Sequence, residues 1–188
     1  AGGTTLNQTS GVRTSETAWS GSGGGISGSV TLPSWQSGLT STTKTSGGVL
    51  GSATSLPRRA IPDFSAPADP NTGFQFYSGG TASAQGTLQQ VGGTSAAAPF
   101  LAGMIVRLNV LLGSRIGLPM STFYSNSSAF TDITSGDNVN GNANGYTTTS
   151  GWDAVTGLGV PLGSGFYKLF RTGTVYPKRN YSFRPTTG

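Results

Sequence analysis

The sequence predicts a layered fold in which short strands pack around one buried helix, and three observations carry that expectation. Phe100, Leu101, Met104, Ile105, Leu108 and Leu112 recur at three- and four-residue steps, the spacing of a helix face. Glycine (31 of 188 residues) and Ser plus Thr (51) favour a loop-rich body over a helix bundle. Short apolar islands bounded by Gly, Pro, Asn and Asp read as strands. Apolar residues make up 34% of the chain, enough for one sizeable core, so one domain is expected.

Residues 1–56 mix Gly, Ser and Thr with apolar islands. They include a glycine-rich loop over Trp19–Ser27 and the run Leu32-Pro33-Ser34-Trp35-Gln36. The chain opens at Ala1 inside a β-type segment, which predicts a processed end. Residues 57–93 read as turn, strand, turn, strand: Ala60–Phe64, then the tight turn Asp69-Pro70-Asn71-Thr72-Gly73, then Phe74–Tyr77. In the helix that follows, Thr94 or Ser95 can cap the start, Pro99 falls in the first turn, and Gly113 stops it. Ala96 to Ala98 and Gly103 would let a second backbone approach closely. Residues 114–173 are loops with short apolar runs and a second short helix near Pro161–Phe170. Thr174 to Gly188 form a tail without periodicity, which divides the chain into 1–173 and 174–188. There is no internal repeat.

Only 9% of residues are charged, against about 25% in soluble domains generally. The net charge of +5 reflects scarce acids, one Glu and five Asp, more than abundant bases. No basic stripe interleaved with aromatics occurs, so nucleic-acid binding is not expected. The apolar stretch from Pro99 to Leu112 is interrupted by Arg107 and Asn109 and is too short to span a bilayer, so no membrane is expected. The absence of cysteine leaves the redox compartment open. Glycosylation sequons at Asn7, Asn126 and Asn180 are about as many as chance supplies in so Ser/Thr-rich a chain.

Ser95 is the most informative residue. It stands in Gly93-Thr94-Ser95-Ala96-Ala97-Ala98-Pro99, at the mouth of the apolar helix. A serine there meets exposed amides and the positive end of the helix dipole, which favour a developing oxyanion. The same position equally suits a structural cap. The chain has no His and no Cys, so neither a Ser-His-Asp triad nor a Cys-His pair can form from it. A nucleophilic Ser95 would need a carboxylate base from another segment.

Gly-Thr-Ser-x-Ala-x-Pro followed by Ala102-Gly103 resembles the nucleophile segment of the subtilisin-like fold. Without a His the resemblance narrows to the sedolisins, serine-carboxyl peptidases that use Glu and Asp. Further stretches are similar to that family in the same order over about residues 1–170: Gly2-Gly3-Thr4-Thr5-Leu6, Glu16-Thr17-Ala18-Trp19, Gly23-Gly24-Gly25-Ile26-Ser27, Pro33-Ser34-Trp35-Gln36, Arg59-Ala60-Ile61-Pro62-Asp63, Asp69-Pro70-Asn71-Thr72-Gly73 and Gly151-Trp152-Asp153-Ala154-Val155-Thr156-Gly157-Leu158-Gly159. One departure is Gly92-Gly93, where the family usually has Ser-Gly. The resemblance implies an α/β subtilisin-like layered fold with a mostly parallel central sheet, here only its C-terminal half. Peptide bonds would be hydrolysed through an acyl-enzyme on Ser95. The family's Glu base, its supporting Asp and the oxyanion Asp fall upstream, so the resemblance implies a partner carrying the N-terminal half of the same precursor. Glu16 reads as structural, and Asp63 and Asp69 as turn residues bonding backbone amides. A Glu base and a protonated Asp both call for acid conditions.

Asp132-Ile133 and Asp153 lie on loops some twenty residues apart, and hard oxygen ligands on such loops suit Ca²⁺. Turn-capping by the two aspartates is the equal alternative. By resemblance, Asp132 and Asp153 supply carboxylates and Ile133, Thr149 and Gly151 backbone carbonyls, with Thr149 replacing the family's first Gly. Asp137 is expected to lie outside this set. The resemblance implies a peptide or protein substrate and a secreted or acidic-vesicle (lysosomal) location. An inactive homologue and a secreted calcium-dependent binding module are the competing readings, and endopeptidase and tripeptidyl-peptidase activities are not separated.

Overall fold

The computed structural model describes residues 1–82, 84–141 and 143–171. The expected tail, 174–188, and Asn180 lie outside the described residues. In chain order the elements are β1 (Gly2–Thr9), β2 (Val12–Ala18), β3 (Gly25–Ile26), a 3-10 turn at Ser34–Gln36, β4 (Thr40–Ser41), β5 (Thr43–Lys44) and β6 (Thr54–Ser55). There follow β7 (Ala60–Ile61), β8 (Ser65–Pro67), β9 (Phe74–Ser78), β10 (Thr87–Val91) and the long helix α1 (Thr94–Leu112). The chain then forms α2 (Met120–Tyr124), a 3-10 turn at Ser127–Ala129, β11 (Phe130–Thr131), β12 (Gly145–Tyr146), β13 (Val160–Pro161) and α3 (Gly163–Phe170).

β1 is the centre of a three-stranded sheet, β2-β1-β8. It pairs antiparallel with β2, Thr4 opposite Ala18, through a register shift at Asn7/Gln8. It pairs parallel with β8, Gly2 opposite Ser65 and Thr4 opposite Pro67. Among the described residues this is the parallel part of the sheet. The pairs β9–β10, β11–β13, β5–β12, β3–β7 and β4–β6 are antiparallel. α1 packs across β8 and β1 and against α3.

α1 departs from the sequence expectation at its start. Gly93 is its N-cap, at φ 87° and ψ 157°, and no side chain caps it. Thr94 and Ser95 are instead its first two residues, because the Gly93 carbonyl already receives the Ala96 and Ala97 amides (2.9 and 3.3 Å). Pro99 is the sixth helical residue, beyond the first turn, so the Ser95 carbonyl loses its i+4 donor. Gly113 ends the helix as expected, left-handed at φ 66°.

The helix is buried on one side only. Ala97, Leu101, Leu108 and Leu112 face the core, while Val106 and Val110 are each 60% exposed. Its 19 residues are long and apolar enough to cross a bilayer by length and composition, contrary to the shorter stretch read from sequence. Its buried leucines place it in the core of this fold.

Opposite α1 the core is aromatic. Phe123 stacks on Phe166 (ring centroids 4.6 Å) and meets Phe130 (5.7 Å) and Phe64 (5.6 Å) edge-on. Such pairs add about 0.5–1.5 kcal/mol each beyond area burial. The helix expected near Pro161–Phe170 is present as α3, preceded by β13. β10, the return strand of the β9 hairpin, and the five-residue α2 were not anticipated.

Candidate active site

The corner between β10 and α1 is built by glycines. At Gly92 an added Cβ would overlap the Ala68 carbonyl oxygen and lie 2.6 Å from Pro70 Cα. No larger residue fits unless the 68–70 backbone moves. Gly93 needs its positive φ, and its amide donates to the Ala68 carbonyl at 2.5 Å. Ala68 directly follows β8, so the corner sits at the carboxyl end of the parallel β1–β8 pair, where open α/β sheets place their ligands. Thr94 packs within reach of Gly3 on β1.

Ser95, the second residue of α1, is exposed at this corner. Its hydroxyl has no hydrogen-bond partner among the described residues. By their positions in the first turn, the Thr94 and Ser95 amides have no intrahelical acceptor. The arrangement offers a free hydroxyl beside free amides at the positive end of a helix.

None of the chain's acids serves that hydroxyl. Glu16, on β2, accepts from Thr4 Oγ1 (2.5 Å) and pairs with Arg13 Nε (2.9 Å), and burial raises its pKa. Asp69 accepts the Asn71 amide as expected (2.9 Å) and also the Thr5 hydroxyl (2.8 Å). Asp63 differs from expectation: its carboxylate meets Arg59 Nη2 (2.6 Å) and the Tyr124 hydroxyl (2.8 Å), not backbone amides. Gln36, fully buried, accepts the Ala60 amide (2.9 Å) and donates to the Ala60 carbonyl and Tyr124 (both 2.8 Å). Burial, and then the Asp63 carboxylate, push the Tyr124 hydroxyl above its ordinary range. This network, which sequence reasoning missed, fixes the approach to β8.

At the second candidate centre the residues expected around a cation meet in two pairs, Asp132 with Gly151 and Asp153 with Thr149. Asp132 Oδ2 accepts the Gly151 amide (2.8 Å), and Asp153 Oδ2 accepts the Thr149 amide (3.1 Å). Asp153 Oδ1 takes the Val155 and Thr156 amides (3.0 and 2.7 Å) and the Thr156 hydroxyl (3.2 Å). Asp153 is 1% exposed, and burial pushes its carboxyl up to about 6 against the pull of these donors. Every partner it has is neutral, so its charge is buried uncompensated, which is what a cation would relieve. Ile133 is buried beside Asp132, while Asp137 turns away to pair with Lys44 (2.6 Å), which holds its carboxyl low. Among the described residues no group of three or more acidic, His or Cys side chains forms. A cation would therefore rest on Asp132, Asp153 and backbone oxygens.

A serine presented from a glycine corner, at the start of a core helix and the end of a parallel strand pair, defines part of a subtilisin-like α/β domain. Comparison with known proteins narrows the class. Kumamolisin of Bacillus sp. (strain MN-32) is 36% identical over 170 residues, covering 86% of this chain and 29% of its own. Sedolisin of Pseudomonas sp. (strain 101) is 36% identical over 173 residues, covering 84% and 26%. The solved structure of Pseudomonas sedolisin (serine-carboxyl proteinase), complexed with two molecules of pseudo-iodotyrostatin, superposes with a TM-score of 0.69 at 35% identity. That match covers 90% of this chain and 44% of the solved one. No family model matches the chain. The chain belongs to the sedolisin family, and spans under a third of the curated relatives it matches.

Proposed function

We propose that this chain is the nucleophile-bearing part of an acid-acting serine-carboxyl peptidase that cleaves peptides or proteins. The observation that carries the reading is Ser95, exposed at the mouth of α1 beside unpaired amides, in a chain with no imidazole. Ser95 Oγ attacks the scissile carbonyl carbon while its proton passes to a Glu carboxylate. The oxyanion is met by the helix-start amides and by a protonated Asp. Collapse breaks the C–N bond, the leaving amine takes the proton, and water hydrolyses the Ser95 ester. The Glu and Asp come from an N-terminal portion, since each acid on the described chain is engaged elsewhere. A free Glu titrates near about 4.3, so base and oxyanion donor coexist in the required forms only at acid pH. An acid optimum suits a secreted protein or one held in an acidic vesicle.

The residues around Asp153 fit Ca²⁺. The carboxylates of Asp132 and Asp153 and the carbonyls of Ile133, Thr149 and Gly151 would hold it. When bound, the ion supplies positive charge to a buried carboxylate and ties two loops together. Its role there is structural.

The test is Ser95→Ala, assembled with the N-terminal portion. Hydrolysis at about pH 4 should fall by at least about 10³-fold with the melting temperature unchanged. Full activity in that variant would refute the assignment. So would failure of a peptide aldehyde to label Ser95 in the unsubstituted protein at acid pH.

A further inference from the structure

We propose that Asp69 is a positioning residue for Ser95, locking the turn on which the glycine corner rests. The proposal relies on the peptidase reading for its kinetic arm only. Asp69 touches no reacting atom; it acts through backbone. One carboxylate oxygen takes the Asn71 amide (2.9 Å) and closes the 69–73 turn, and the other takes the Thr5 hydroxyl (2.8 Å) and ties that turn to β1. The Ala68 and Asp69 amides both donate to the Thr4 carbonyl (2.8 and 3.2 Å), so the turn is fastened to β1 by backbone and side chain together.

Directly against this turn lies the corner. The Ala68 carbonyl receives the Gly93 amide, and Gly92 packs against Pro70 with no room for a Cβ. Gly73 is equally confined, between the carbonyls of Val91 and Asp69. Gln90 Nε2 donates to the Pro70 carbonyl (2.5 Å). Every residue from Gln90 to Gly93 therefore either contacts the 68–73 segment or adjoins a residue that does. The turn's other buried polar group, Thr72 Oγ1, has no partner, so Asp69 is the turn residue whose side chain ties it to β1, while Gln90 reaches it from β10. Without it the turn keeps only amide bonds on its β8 side, and the corner can shift by fractions of an ångström. Misplacement on the ångström scale can cost about 10²-fold in rate.

Three variants test this in the protein assembled with its N-terminal portion: Asp69→Ala, Thr5→Val, which removes the hydroxyl while keeping a β-branched strand residue, and Asp69→Asn, which keeps an oxygen for the Asn71 amide. Asp69→Ala should lower kcat about tenfold or more with KM within about twofold, Thr5→Val should lower it less, and Asp69→Asn should recover most of the loss. Amide exchange supplies the independent readout. Asp69→Ala should speed exchange at Gly93 by about tenfold or more while Leu108, inside α1, is unchanged. The proposal is overturned if Gly93 exchange does not change, if Leu108 accelerates equally, or if kcat survives Asp69→Ala. Should the unsubstituted protein hydrolyse no peptide, the peptidase reading fails, and the exchange comparison still decides the role of Asp69.

Discussion

Asp153 makes a two-sided prediction about pH and calcium. Burial lifts its pKa from an ordinary 3.8 to about 6 in the folded protein without metal. Between those values the folded state holds a proton that the unfolded state has released, so stability falls as pH rises. The contribution is complete below about pH 3.8 and is lost as pH passes through about 6. At 1.36 kcal/mol per pH unit, the loss between pH 3.5 and 7.5 is about 3 kcal/mol. The proposed calcium ion would reverse the sign, because binding to the carboxylate displaces that proton; its stabilisation should grow over the same interval. Asp153→Asn should abolish the calcium response and flatten this pH dependence. At pH 3.5 it should also cost about 1–3 kcal/mol, because an amide NH₂ would face the Thr149 amide that now donates to Oδ2, and in chelator that gap to the parent should close by pH 7.5. The assay is denaturant unfolding of the assembled protein at both pH values, with chelator and with millimolar calcium. If the chelated parent loses no more stability between pH 3.5 and 7.5 than Asp153→Asn does, or calcium stabilises the variant as well as the parent, then Asp153 is not the buried ligand proposed.

Two further outcomes follow from the packing. Gly93→Ala must hold a side chain at φ 87°, ψ 157°, a region costing about 1–3 kcal/mol for non-glycine residues, so thermal melting should show that loss and peptide hydrolysis should drop further than stability accounts for. Unchanged turnover would mean that the corner does not place Ser95. Phe123→Ala empties the centre of the aromatic cluster, where Phe123 is fully buried, and should cost about 3–5 kcal/mol in denaturant unfolding; a loss under about 1 kcal/mol would show that this cluster is not the core.

How far the molecule could be read from its sequence depends on the range of the interactions involved. The body and end of α1 were legible because a helical period and a left-handed Gly113 are local signals. Its beginning was misplaced by one or two residues because the cap is a backbone carbonyl, and a Thr-Ser pair invites a side-chain reading that the geometry does not use. α2 is five residues long, too short for periodicity to register. Asp63 looked like a turn residue because its partner Tyr124 stands sixty-one positions away, and no local pattern marks that bond. The corner around Ser95 was visible as a heptapeptide, but its floor was not, since Thr5, Asp69 and Gly92 meet only after β1 and β8 pair. Of the residues expected around a cation, Asp132 meets Gly151 and Asp153 meets Thr149, and those amide bonds needed coordinates.

The exposed side of α1 bears on where the missing carboxylates would lie. Apart from Arg107 and Asn109, α1 is apolar on its exposed side as well as its buried one, and a helix apolar on both sides suits a layer on each. Leu101, Leu108 and Leu112 have theirs; Val106 and Val110 do not among the described residues. At 100° per residue, Val106 sits about 20° and Val110 about 60° around the axis from Ser95, so all three share one side of the helix. Pro99 and Ala102, also exposed, complete that stripe. Val106 and Val110 lie about 16 and 22 Å along the axis from Ser95, so an element that buries the two valines would reach the serine hydroxyl only by running along that stripe. The proposed N-terminal portion would then finish the core and deliver Glu and Asp to the nucleophile through one surface. That coupling would tie catalysis to assembly: a charge introduced at Val106 should weaken both together.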